Sequence, residues 1–161
     1  LSAGAAIDGG GPVLLVDGTA GSLDAASASL VDELGLDEIA VAGGEKSVSA
    51  GIVAQLGTVA DTVRLGGVDR YESSRLINAY FFESADRVVL ATGVGFPDAL
   101  SGSGLAPKLD APLFTVPGDC VPAETLAQID SLGADRVTLL GGENTLTPAV
   151  ADLTACATAA G

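Results

Sequence analysis

Arg64, Arg70 and Arg75 fall within one stretch, TVRLGGVDRYESSRLINAYF (residues 62–81). They are three of only seven basic residues in a chain that carries twenty-one acidic ones. Arginine beside a glycine-rich turn suits one kind of chemistry, bidentate hydrogen bonding to a carboxylate or a phosphate. Three such turns occur: AGGE (42–45), LGGVDR (65–70) and LGGE (140–143), each after an apolar run and before a helical pattern. A helix start that follows a glycine turn presents N–H groups and the positive end of the dipole to an anion. The pairs Gly43-Gly44, Gly66-Gly67 and Gly141-Gly142 serve equally well as tight strand-to-helix turns. Glu45 and Glu143 would repel an anion, and no turn matches the dinucleotide fingerprint or the P-loop pattern, so a nucleotide site is not supported.

The segment DRYESSR places Asp69 and Glu72 at capping-box spacing, with Asp standing in for Ser or Thr. Arg70 and Arg75 are five residues apart and diverge by about 140° on a helix, so they cannot converge on one ligand from mid-helix. Glu72 and Arg75 are three apart and can pair on the surface. Arg70 is therefore either a donor to an anion at the helix start or part of a self-neutralised cap, with Tyr71 packed on the sheet. In GFPDALSG (95–102), Asp98 falls in a first helical turn, where the dipole favours it, and it could also meet Arg64 or Arg70. The chain has no histidine. This removes the commonest general base and metal ligand, and with them any Ser-His-Asp or Cys-His site. No paired carboxylates are spaced for glycoside hydrolysis, and no nucleophile–base constellation is present. The sequence therefore carries no catalytic site, no metal site and no cofactor.

The elements that must position these residues are legible as short apolar runs: Val13–Val16, Glu38–Ala42, Arg87–Ala91, Pro112–Val116 and Arg136–Leu140. Each is continuous rather than alternating, as expected of parallel strands covered on both faces. Helical patterns lie between them at Leu23–Leu34, Val48–Leu56, Tyr71–Ser84, Pro97–Lys108, Ala123–Leu132 and Pro148–Leu153. Pro97, Pro122 and Pro148 suit first helical positions, and Thr147 suits an N-cap. This alternation predicts an α/β fold, a mostly parallel sheet layered with helices and joined by right-handed crossovers. Only the Ala/Thr-rich tail after Leu153 lacks a pattern.

Composition narrows the partners. Hydrophobic residues make up 48% of the 161, enough for a substantial core. No apolar run reaches the roughly 18–20 residues of a membrane span. The net charge of −14 argues against nucleic acid, whose binding rests on Lys and Arg neutralising phosphates. The first residue is Leu1 and no signal-peptide pattern follows, so the chain reads as a mature or excised piece. Cys120 and Cys156 are too few for a zinc site. The expected topology puts them at opposite ends of the layer unless the tail folds over, which leaves a disulfide and a pair of small apolar residues both open.

The chain also resembles itself. LSAGAAIDGGGPVLLVDG (1–18) is similar to LSGSGLAPKLDAPLFTVPGD (100–119), and residues 30–56 are similar to residues 128–153. Leu1 pairs with Leu100, Pro12 with Pro112 and Gly43-Gly44-Glu45 with Gly141-Gly142-Glu143, an offset of 98 to 100 residues. The reading is a tandem repeat of about 98 residues. Residues 1–60 form the C-terminal part of one repeat, and residues 61–161 form one complete repeat.

Four motifs of the complete repeat, VRLGGVDRYESSRLI, VVLATGVGFPDALSG, APLFTVPGD and RVTLLGGENTLTPAV, together resemble the cell wall binding repeat 2 family of Gram-positive surface and S-layer-associated proteins. The matching positions are Arg64, Gly67, Asp69, Arg70, Tyr71, Phe96, Pro97, Asp98, Ala99, Leu100, the APLF strand and Gly141-Gly142. The resemblance implies Toprim-like modules grouped in threes about a pseudo-threefold axis. It further implies a secreted carrier at the cell surface, anchored non-covalently to a cell wall glycopolymer, an anionic secondary polymer. The catalytic or adhesive activity would then belong to another domain. Under this implication Arg64, Asp69, Arg70, Tyr71, Arg75 and Asp98 either bind the polymer or stabilise the module. A scaffold role, with repeats assembling without direct ligand binding, is the alternative. The first repeat here lacks its DRY-containing half.

Overall fold

The computed structural model describes residues 11–157. The correspondence read over residues 1–10 and the end of the tail, residues 158–161, lie outside them. The chain divides into two units, Val13–Ser73 and a second one running from Ser74 onward, with the division falling inside one helix. The repeat boundary read at residues 60 and 61 lies within the first of these units.

The Val13–Ser73 unit contains α1 (Ala25–Leu34), β1 (Glu38–Ala42), α2 (Ala50–Leu56), β2 (Asp61–Leu65) and the start of α3 (Arg70–Phe81). Asp24 caps α1 by accepting from the N–H groups of Ala26 and Ser27. Bonds from the Ser27 hydroxyl and N–H hold its carboxyl below the usual range. Gly35 ends α1 in the left-handed conformation (φ 58°). Ser49 caps α2, and its hydroxyl also donates to the Ala20 carbonyl at 2.6 Å. Val31, Val41, Ile52 and Leu56 form the core. β1 and β2 pair in parallel, from Glu38 opposite Asp61 to Ala42 opposite Leu65.

β2 has no continuous apolar run to mark it in sequence, because Thr62 and Arg64 interrupt it. The sequence also predicts a strand at Val13–Val16, and none forms there. Val13, Leu14 and Leu15 are 43%, 39% and 88% exposed, whereas their counterparts Leu113, Phe114 and Thr115 are at most 4% exposed. The exposed residues are no less apolar than the buried ones, among which is Thr115, so the difference lies in the neighbours. Leu113–Val116 has a parallel partner strand alongside, and no described strand lies alongside Val13–Val16.

The second unit continues with the rest of α3, then β3 (Arg87–Thr92), α4 (Phe96–Leu105), a 3-10 turn (Ala106–Leu109), β4 (Leu113–Val116), α5 (Ala123–Leu132), β5 (Arg136–Leu140) and α6 (Pro148–Ala151). The sheet order is β4-β3-β5, and both pairings are parallel. β3 sits centrally and is buried on both faces. Val88 and Leu90 join Phe114, Val116, Ile129 and Val150 in one core, while Val89 and Ala91 join Ala106, Ala111 and Leu113 in another. This is why the run Val88–Ala91 is continuously apolar. At the β4 edge, Ser74 accepts from the Thr115 N–H at 3.1 Å, and Asn78 donates to the Leu113 carbonyl at 2.9 Å. These two α3 side chains, one turn apart and buried, satisfy strand groups that an open edge would leave unpaired.

Cys120 and Cys156 form a disulfide. After α6 the tail turns at Leu153 (φ 52°) and runs parallel to Val121, where the Val121 N–H donates to Thr154 and the Cys156 N–H donates to Val121. The tail thus folds over, the condition under which the sequence left a disulfide open. The bond closes a loop of 36 residues of sequence separation. Replacing both cysteines by serine should lower stability by about 2–4 kcal/mol, chiefly through the freer unfolded chain. Urea unfolding of the two proteins measures the shift, and unchanged midpoints would refute it.

Candidate functional site

Two glycine turns meet backbone to backbone in the Val13–Ser73 unit. The Gly43 N–H donates to the Leu65 carbonyl at 2.8 Å, and a Cβ on Gly66 would overlap the backbone of Gly43 and Gly44. Gly43 itself has φ 120°, a conformation that disfavours any side chain. The Arg64 guanidinium closes the arrangement, donating to the Gly43 carbonyl at 2.8 Å and the Ser49 carbonyl at 3.4 Å. Arg64 is half-buried, so it ties β2 to the turn after β1 and to the start of α2.

Beyond this junction the chain enters α3 through a dense set of local bonds. Asp69 accepts from the N–H groups of Tyr71 and Glu72, both at 2.9 Å, as capping spacing predicts. Glu72 reaches back to the Val68 N–H at 2.7 Å, one residue before the position expected in a capping box. Ser73 accepts from the Gly67 N–H at 3.0 Å and donates to the Asp69 carbonyl at 2.7 Å. A Cβ on Gly67 would run into Glu72. Arg70, at the first helical position of this fixed turn, is exposed; Tyr71 and Arg75 are half-buried. In the second unit the Arg75 carbonyl accepts from Gln128 Nε2 at 3.2 Å.

Asp98 lies in the first turn of α4, as expected. Its Oδ2 stands 3.0 Å from the place a Cβ on Gly141 would occupy. The carboxylate therefore rests against the Gly141-Gly142 turn. That turn is bonded like the one at Gly43-Gly44. Gly142 accepts from the N–H groups of Thr145 and Leu146, as Gly44 does from Ser47 and Val48. The Thr147 N–H donates to Gly118, as the Ser49 N–H does to Gly18. Thr147 occupies the N-cap position read from sequence, but its buried hydroxyl makes no bond. No group of three or more His, Cys, Asp or Glu residues among those described is placed to hold a metal. No helix of the described residues is long and apolar enough to cross a membrane.

The site residues thus fall in two settings. Gly43, Gly44, Arg64, Gly66, Gly67, Asp69 and Arg70 are brought together at or next to the β1–β2 junction. Asp98, Gly141 and Gly142 are brought together at the end of β5. Ser74 and Asn78, which hold the β4 edge, had no signal in the sequence beyond an i, i+4 pair of small polar residues on an otherwise amphipathic helix.

An α/β module of parallel strands and glycine turns, built around arginine-tied backbone, is what the fold defines. The sequence profile of cell wall binding domain 2 matches residues 64–151, more than half of the chain, and the chain belongs to that family. It is thereby a cell wall-associated module. It is 32% identical over 92 residues to the N-acetylmuramoyl-L-alanine amidase LytC of Bacillus subtilis, and 36% identical over 89 residues to the amidase enhancer of the same organism. These matches take in 57% and 55% of the chain but only 18% and 12% of the two relatives. Among solved structures it resembles Cwp6 and Cwp8 from Clostridium difficile, with TM-scores of 0.83 and 0.80 at 23% and 27% identity. The likeness covers 95% and 94% of the chain and about a quarter (25% and 26%) of those proteins.

Arg64→Ala should destabilise the Val13–Ser73 unit by about 1.5–3 kcal/mol, the cost of losing charge-assisted bonds to two carbonyls. Arg64→Lys should recover only part of this, because an ammonium is a point donor rather than a fork. Asp69→Ala should lose about 1 kcal/mol with the cap. Urea unfolding followed by circular dichroism tests all three, and an Arg64→Ala midpoint equal to wild type would exclude the tie.

Proposed function

We propose that the chain is a non-catalytic module, the C-terminal part of one repeat (residues 1–60) followed by one complete repeat (residues 61–161), that anchors a secreted protein non-covalently to the Gram-positive cell wall. Its ligand is an anionic secondary wall polymer. The observation that carries this reading is the family match over residues 64–151, which takes in the capped turn and the α3 start with Arg70. The supporting chemistry is local. With a net charge of −14 the chain as a whole repels a polyanion, so the contact must be made by a fixed donor rather than by a broad field. Arg70 is exposed on a turn held by Asp69, Glu72 and Ser73, and such a mount spends little conformational entropy on binding. Tyr71 beside it offers a ring for a sugar face. The Bacillus relatives, named for amidase function, are consistent with a carrier that acts at the wall, with the chemistry in a part this chain does not span.

A second reading has an observation of its own. Arg64 is spent on backbone carbonyls. That favours a stabilising role for this arginine and an assembly role for the β1–β2 junction, in a group of three repeats.

Co-sedimentation with purified Gram-positive walls separates these readings. The wild-type chain should pellet with intact walls and remain in solution after acid extraction of secondary polymers. Arg70→Ala, with an unchanged circular dichroism spectrum, should bind at least about tenfold more weakly. Pelleting that survives extraction, or that ignores Arg70→Ala, would rule out the arginine-centred polymer site.

A further inference from the structure

β5 ends its sheet, and among the described residues no strand pairs with its outer edge. The Arg136 N–H donates to Asp86, on the β3 side. Alternation along a parallel strand then turns the backbone groups of Val137, Leu139 and Gly141 toward the open edge. The corresponding residues of the Val13–Ser73 unit are Ile39, Val41 and Gly43. There the Gly43 N–H is taken by the Leu65 carbonyl and the Gly43 carbonyl by Arg64, both from β2. Neither the N–H nor the carbonyl of Gly141 has a partner among the described residues, although its turn is bonded as the Gly43 turn is. Beside it stands the Asp98 carboxylate, half-buried and without an ion pair among the described residues.

We propose that the outer edge of β5, with Gly141 and Asp98, is the docking site for a parallel strand of the Asp61–Gly67 kind carried by a further repeat. An arginine at the Arg64 position would bridge the Gly141 carbonyl and the Asp98 carboxylate. The occupant follows from three points. The chain's own β1–β2 ladder is the template, including register and the arginine tie. The charges are complementary, a guanidinium arriving at an unpaired carboxylate. The strand is not supplied by the residues just after α6, which run beside Val121 into the disulfide. A second copy of this chain is a poor donor, because its β2 is already paired with β1 and its Arg64 is already in use.

The test adds a fluorescent synthetic peptide of residues 61–81 to the 161-residue chain. The wild-type peptide should bind saturably, and hydrogen exchange should show new protection at Leu139 and Gly141. A peptide with Arg64→Ala should bind about tenfold more weakly or worse. Asp98→Asn in the protein should weaken the wild-type peptide but have little further effect on the Arg64→Ala peptide, the non-additivity of a contacting pair. Because the arginine is changed in the peptide, misfolding of the protein cannot mimic its effect. Absence of saturable binding, equal affinity of the two peptides, or protection confined to β1 would each overturn the proposal.

Discussion

The parallel ladder between Glu38–Ala42 and Asp61–Leu65 is what the Val13–Ser73 unit depends on. It carries two glycine turns into contact so close that Gly66 cannot bear a side chain, while Gly43 is held at φ 120°, where a side chain is strained. It delivers Arg64 to the carbonyls of Gly43 and Ser49. Everything around α3's start is downstream of that placement: the Gly67 N–H meets Ser73, Glu72 bonds Val68, and Asp69 caps the helix. A ladder of five residue pairs with a two-stranded sheet is marginal by itself. The backbone contact of the turns and the guanidinium bonds supply order that the small core of Val31, Val41, Ile52 and Leu56 does not.

The scarcity of arginine makes sense in this light. Arg64 bonds two main-chain carbonyls, and Arg87 of β3 donates to the Thr138 hydroxyl of β5 at 2.8 Å, so both stitch strands to their neighbours. The pair of Arg136 with Asp135 is different: at 3.7 Å with both side chains more than half exposed, it contributes little. Both guanidinium groups are half-buried, and their partners in these bonds are uncharged oxygens, two backbone carbonyls for Arg64 and one hydroxyl for Arg87. An arginine cluster in sequence therefore does not add up to one basic surface. Arg64 is half-buried at the junction, and Arg70, at the start of α3, is exposed.

Much of the second unit is legible in sequence because β3 and β4 are buried on both faces and β5 is half-buried along most of its length. The continuous apolar runs at residues 87–91, 112–116 and 136–140 emerge as β3, β4 and β5, within a residue at most of their ends. The same rule fails at Val13–Val16, where the run is as apolar but has no adjacent strand: hydrophobicity specifies what a strand wants, not whether a neighbour is there. β2 was missed for the opposite reason. β2 carries its tying arginine inside the run, and Thr62 and Arg64 together interrupt the apolar signal, whereas Arg87 sits at the first residue of β3 and leaves its run intact. The disulfide was left open because it depends on Leu153 adopting φ 52° and reversing the tail, a single backbone choice with no pattern around it. Ser74 and Asn78 could have been flagged as a polar pair on the buried face of a helix, but only the position of the β4 edge gives them a task.

The boundary suggested by sequence similarity and the boundary suggested by packing do not coincide. A cut between residues 60 and 61 separates β1 from β2, two strands that share every ladder bond either has in the described chain. The repeat expected from the sequence would begin with β2, while the physical unit containing β2 runs from Val13 to Ser73. What is paired in the structure is β2 with β1, across the boundary expected at residues 60 and 61. Such an arrangement couples neighbours through backbone hydrogen bonds rather than through a side-chain interface. The coupling is hard to lose by surface mutation, because main-chain groups are the same in every sequence and only register and the glycine turns must be kept. Glycine and arginine, rather than apolar residues, hold this junction because the contact is between backbones and a guanidinium can bind two carbonyls at once.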